Sequence, residues 1–105
     1  MSLSLHHVGV TVGNVSEAAA RYCRLGYEPR TGIIHDHEQT VYAQFLKLPG
    51  DRAYLELVAP DREDSKLSGV LRKGGGLNHV CFATEDLEKA CQRLCSEGFF
   101  SFHHR

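Results

Sequence analysis

An excess of charge of either sign is missing from this sequence: 12 Lys and Arg stand against 13 Asp and Glu, and the two signs are interleaved. Nucleic acid and anionic membrane surfaces are recognised by a basic face, so neither is an expected partner. No apolar run approaches the ~20 residues of a membrane span. The first residues also lack the basic-then-apolar order of a secretory signal. The four cysteines, Cys23, Cys81, Cys91 and Cys95, have no CxxC spacing. Free thiols in a reducing, cytoplasmic setting are therefore expected in place of a disulfide framework. What is present suffices for one small domain, since 105 residues with 42% hydrophobic side chains can bury a core. Seven histidines raise the question of metal. His6, His7, His103 and His104 sit near the ends, while His35 and His37 fall in a polar loop and read as solvated.

The chain repeats itself. Laying Leu5–Tyr27 on Leu77–Phe99, an offset of 72, needs no gap. Leu5/Leu77, His7/His79, Val8/Val80, Ala18/Ala90, Arg21/Arg93, Cys23/Cys95 and Gly26/Gly98 are identical pairs, more than chance places in one ungapped register. Each copy predicts a strand and then a helix. Val8, Val10 and Val12 alternate with His7, Gly9 and Thr11, and Val80 and Phe82 alternate with His79, Cys81 and Ala83, the period of a half-buried strand. Asn14 with Glu17 resembles a capping box, and Val15, Ala18, Ala19 and Tyr22 form a core-facing stripe closed by Gly26. Asp86, the stripe Leu87, Ala90, Cys91 and Leu94, and Gly98 repeat the pattern. The expected helices are Val15–Leu25 and Leu87–Ser96.

Between the copies, Thr40–Leu48 and Arg52–Ala59 predict two strands about the turn Pro49-Gly50-Asp51, with a further strand near Tyr27–Ile34. Ser65–Lys73 predicts a short helix, and Gly74-Gly75-Gly76 a hinge. The expected fold class is α+β in a single domain over residues 1–105. Module one, at 5–60, is βαβββ; a linker helix lies within 61–76; and a partial second module occupies 77–105. The tail Phe99-Phe100-Ser101-Phe102 could begin another strand.

His7 and His79 hold the same repeat position, beside the small residues Gly9 and Cys81, which leave space above the strands. In the segment Tyr54-Leu55-Glu56-Leu57-Val58, the leucines take the apolar face, so Glu56 points the other way with Tyr54 and Val58. Two imidazoles and a carboxylate on strand faces suit a borderline divalent cation. Taken singly, a strand histidine is more often structural or solvated. Two histidines and one carboxylate are also the ligand set of non-haem iron oxygenases.

The motif HHVGVTV, the strand YLELVAP and the segment EDSKLSGVLRKGGGLNHVCF resemble the vicinal oxygen chelate (glyoxalase, bleomycin resistance, dioxygenase) superfamily. The resemblance runs from residue 5 to about 99. The methylmalonyl-CoA epimerases are the most similar members, and glyoxalase I is more distant. It implies a glyoxalase-like fold of paired βαβββ modules with a divalent metal ion (Co, Mn, Ni or Zn) on His7, Glu56 and His79. It also implies a fourth ligand which, by the same offset, would fall at position 128, beyond Arg105. His103 or His104 could stand in for it. The implied chemistry is epimerase-like: a cation polarises a carbonyl while a base removes the neighbouring proton. Glu38 is the positional candidate for that base, with a solvated loop carboxylate as its plainer reading. Tyr54 and Gln44 could line the cup. The implied substrate is a small molecule such as an acyl-CoA, and the dioxygenase members carry different motifs around their ligands.

Without a fourth ligand, weak or no turnover is expected. The alternative is a non-catalytic member that binds a small molecule, or a chain that folds and associates without activity. With strand partners missing from its second copy, the chain is expected to form a homodimer.

Overall fold

The structure, a computed structural model, describes residues 3–97, apart from the side chain of Leu94. Six strands and three helices follow in the order β1 (Leu3–Thr11), α1 (Val15–Cys23), β2 (Glu28–Pro29), β3 (Ile34–Asp36), β4 (Val41–Lys47), β5 (Tyr54–Pro60), α2 (Ser68–Arg72), β6 (Gly76–Thr84) and α3 (Leu87–Ser96). The expected α+β class holds. One sheet runs β2-β4-β5-β1-β6, with β3 also on β4. β1 is parallel to β5 and antiparallel to β6.

Helix α1 starts where Asn14 accepts the Glu17 amide through Oδ1 at 2.9 Å. Its regular part stops at Cys23, two residues short of the expected end. The turn that follows is closed by Gly26 N–H to Cys23 O and Tyr27 N–H to Tyr22 O, with the Tyr22 and Tyr27 rings in edge contact at 5.4 Å. Val15, Ala18 and Ala19 pack on Leu46, Leu55, Leu57 and Ala59, with Val10, Val12 and Tyr22 partly buried beside them. This is the apolar layer that the alternation in β1 and β5 requires. Each leucine so enclosed contributes about 1.5–3 kcal/mol relative to leaving it exposed.

Three expectations are corrected. The strand near Tyr27–Ile34 is two short pieces on the same edge of β4, Glu28–Pro29 against Lys47 and Leu46, and Ile34–Asp36 against Ala43 to Val41. Between them the pairing slips by two residues, and the Thr31 hydroxyl accepts the Phe45 amide at 3.2 Å in place of a backbone carbonyl. An edge strand tolerates both this interruption and Pro29, because one side of its ladder faces no partner.

The glycine run is not free backbone. Gly74 N–H bonds Leu71 O and Gly75 N–H bonds Val70 O, which ends α2 in a Schellman motif. All three glycines have positive φ, and a Cβ on Gly75 would lie 2.6 Å from Thr11 O. The run is a shaped entry into β6.

Finally, the histidine face of β1 is its enclosed one. His7, Gly9 and Thr11 are buried while Val8 and Val10 are intermediate, because Phe45, Glu56 and the His79 ring cover His7 and Gly9, and Gly75 lies against Thr11. His35, expected to be solvated, is exposed, and it also bonds Asp61 Oδ2 through Nε2 at 2.7 Å and stacks on His37 and Tyr42. Among the described residues no helix is long and apolar enough to cross a membrane. The expectations for Phe99–Phe102, His103 and His104 lie outside the described residues.

Candidate metal centre

The two repeat strands are neighbours, and their register explains why two histidines meet. β1 and β6 pair His7 with Cys81, Val8 with Val80 and Gly9 with His79. Moving each residue to its repeat counterpart turns the first pair into the third. The copies are therefore related by an approximate two-fold axis through Val8 and Val80. Each histidine lies opposite the small residue of the other copy, on one face of the sheet. Gly9 is what admits the His79 ring: a Cβ there would lie 2.1 Å from His79 Cε1. On the other side of β1, Gly9 pairs with Glu56 of β5 and Glu56 with Phe45 of β4. His79, Gly9, Glu56 and Phe45 thus form one row across four strands.

The donor atoms converge. His7 Nε2 lies 2.9 Å from His79 Nε2 and 3.1 Å from Glu56 Oε1, and His79 Nε2 lies 3.0 Å from the same oxygen. His7 is 2% exposed and Glu56 5%. His79 Nδ1 is 2.7 Å from Asn78 Oδ1; the amide oxygen accepts only, so Nδ1 carries the hydrogen and Nε2 presents its lone pair inward. Three polar atoms held this close, two of them buried, need either a shared hydrogen or a cation between them. His7, Glu56 and His79 would together offer a divalent cation two imidazole nitrogens and a carboxylate oxygen, a donor set suited to borderline ions. The donor set fits the group that the sequence resemblance implies.

Beside the centre opens a cleft of about 530 Å³, walled by Asp36, Gln39, Val41, Ala43, Val58 and Asn78 together with Glu56 and His79. That volume lies within the range of small-ligand sites, roughly 300–1,000 Å³. Glu38 is exposed on the turn between β3 and β4 and does not reach the wall, whereas its neighbours Asp36 and Gln39 do. Asp36 Oδ1 accepts the amides of Glu38 and Gln39, which sets that turn. Tyr54 shares the Glu56 face, near His6 and Phe45. Gln44 does not: it pairs with Leu57 on the helix side and donates to Thr31 O at 3.0 Å. Phe45 takes the place expected for Gln44, its ring 5.3 Å from that of His7.

Sequence reasoning missed His6. The pairing slips between Leu5 and His7, so His6 is the extra residue of a β-bulge and is turned to the same side as its neighbour. Its Nδ1 lies 2.7 Å from His7 Nδ1. Strict alternation would have put the two on opposite faces, and nothing in the sequence marks the bulge.

Residues 6–104 match the family model described as the Glyoxalase/Bleomycin resistance protein/Dioxygenase superfamily. The ethylmalonyl-CoA/methylmalonyl-CoA epimerase of Cereibacter sphaeroides is 36% identical over 90% of this chain and 70% of its own. The crystal structure of methylmalonyl-CoA epimerase from Mycobacterium tuberculosis superposes with a TM-score of 0.76 at 29% identity, over 90% of this chain and 63% of that one. A single-site variant of the Streptomyces coelicolor methylmalonyl-CoA epimerase, solved with 2-nitronate-propionyl-CoA, gives 0.75 at 27%, over 92% and 74%. The chain thus spans roughly two thirds of the length of these relatives.

Proposed function

The chain belongs to the glyoxalase/bleomycin resistance protein/dioxygenase superfamily, and from that premise we propose an epimerase-like function on a small acyl thioester. The proposed substrate carries an acidic C–H between two carbonyls, and His7, Glu56 and His79 hold a divalent cation beside it. The observation that carries this reading is the convergence of those three donors, within 3.1 Å of one another, with Glu56 and His79 at the wall of the cleft. The relatives' names and the acyl-CoA analogue in the Streptomyces enzyme support the substrate class.

A cation held there supplies Lewis acidity to a substrate carbonyl and offsets the negative charge that builds as the adjacent C–H loses its proton. The chain's own residues do the rest. Glu56 brings a formal negative charge that favours a cation over an empty pocket, and Asn78 orients the His79 ring. Gly9 leaves the room in which that ring stands. Asp36 is committed to its turn, so the exposed carboxylate of Glu38, outside the wall but on the turn that supplies Asp36 and Gln39 to it, is the group proposed to move the proton.

Co²⁺ titration followed by visible absorption is the first test. A saturable signal is expected that disappears in both His7→Ala and His79→Ala; a signal unchanged by both substitutions sinks the metal assignment. Deuterium exchange at C2 of methylmalonyl-CoA then tests the reaction, because it registers proton removal whether or not the centre inverts. Glu38→Gln is expected to slow exchange by ~10²–10⁴-fold while leaving the Co²⁺ midpoint in place.

A non-catalytic ligand-binding reading has support of its own in the apolar part of the cleft wall, Val41, Ala43 and Val58. It predicts ligand binding with no isotope exchange. We further infer a homodimer through the β6–α3 side, where Leu77 (69%), Val80 (47%) and Phe82 (42%) stand exposed together. Light scattering at micromolar concentration checks it, and a clean mass of 11.7 kDa overturns it.

A further inference from the structure

The bulge that turns His6 inward also makes a second donor cluster, which the proposed epimerase chemistry does not use. His6, His7 and Cys81 each offer a ligand atom, and these atoms all lie within 4.8 Å of one another. Cys81 is the cross-strand partner of His7 and occupies the repeat position of Gly9. Where the first copy has a glycine that admits a ring, the second therefore has a thiol facing one. The two edges of the His7 imidazole point to different neighbours. Nε2 faces Glu56 and His79, and Nδ1 faces His6. Cys81 is half-buried and His6 exposed, so the cluster is open to ions from solvent.

We propose that His6, His7 Nδ1 and Cys81 form a second cation site, selective for soft, thiolate-binding ions of the Zn²⁺, Cd²⁺ and Cu⁺ type. The chemistry follows from the donors. Thiolate with imidazole selects soft and borderline cations, whereas a site with a carboxylate also accepts harder ones. Three protein donors leave a position for water, as in open zinc sites. On loading, the Cys81 thiol releases its proton to solvent, since the thiolate is the ligand. The hydrogen between the two Nδ1 atoms must also leave. It is retained on His7 when that ring takes the Nε2–H form, with Glu56 Oε1, 3.1 Å away, as acceptor. A soft cation at the second site therefore draws His7 away from the first, and the two sites oppose each other through one ring.

Cd²⁺ is the probe, because its thiolate complexes absorb in the ultraviolet where carboxylate and imidazole complexes do not. In a chain with Cys23, Cys91 and Cys95 changed to Ser, so that Cys81 is the one thiol left, a saturable band at one equivalent of Cd²⁺ is expected. Cys81→Ala should abolish it. His6→Ala should raise its midpoint by more than about tenfold, the lower end of what even an outer partner of a metal ligand contributes. Glu56→Gln, which weakens the first site, should leave the band in place, so failure of the epimerase reading does not mimic failure here. If the triple variant does not fold by far-ultraviolet circular dichroism, the difference between the unmodified chain and Cys81→Ala gives the same reading. No band from a folded Cys81-only chain, a midpoint unmoved by His6→Ala, or a band lost in Glu56→Gln each overturns the proposal.

Discussion

The β1–α1 and β6–α3 regions share a sequence pattern and differ in what surrounds them. Val15, Ala18 and Ala19 of α1 are 4%, 1% and 7% exposed, and the helix packs on β5, β4 and β2. Their counterparts in α3 are Leu87 at 36%, Ala90 at 0% and Cys91 at intermediate burial. Val10 is partly buried against the core, while its counterpart Phe82 is 42% exposed. Both helices are capped in the same way, Asn14 accepting from Glu17 and Asp86 from Lys89. A repeated pattern thus specifies local structure twice, but burial depends on neighbours that only one copy has among the described residues. The candidate site lies on the seam between the copies, so it draws one histidine from each.

Substituting the two small residues on that seam should break the comparison most sharply. Gly9→Ala puts a Cβ where the His79 ring stands, and loss of the saturable Co²⁺ signal is expected in a chain still folded by circular dichroism. Cys81→Ala, at the repeat-equivalent position, should retain that signal. Equal outcomes would mean that the seam is not asymmetric.

In the cores, Leu57→Ala is expected to cost ~2–5 kcal/mol in denaturant unfolding, because Leu57 is fully buried under α1. Leu87→Ala, at the 36% exposed start of the α3 stripe, should stay within about 0.5 kcal/mol. Comparable losses would show α3 to be covered in solution, as a homodimer through that face requires.

At the junction of the copies, Gly75→Ala should cost at least ~1–2 kcal/mol for its left-handed backbone, apart from the clash with Thr11 O.

The smallest expected effect is electrostatic. Arg62 and His35, bonded to Asp61, lower its carboxyl to about 2 from an ordinary 3.8. A depressed carboxylate contributes stability above its unfolded value and loses it as pH falls. The Asp61 contribution should therefore fade between about pH 4 and pH 2, and Asp61→Asn should flatten that part of an acid-unfolding curve.

Much of this was legible in the chain itself. The ungapped offset of 72 marked α1 and α3, the strand before each of them and the equivalence of His7 with His79, since caps, stripes and alternation are local properties of neighbouring residues. The face of Glu56 followed from Leu55 and Leu57 on either side of it. Other features belonged to the tertiary structure alone. Phe45 took the place expected of Gln44 because the face a strand residue takes is set by its register with the partner strand. His6 came onto the site because β1 gains a residue against β6, and a bulge is a property of two strands together. The glycine run became a tight entry because Thr11 O lies against it. Period and propensity were determined by residues close in sequence. The donor triangle, the thiol facing His7 and the exposed side of α3 were decided by strands brought together from far apart in the chain.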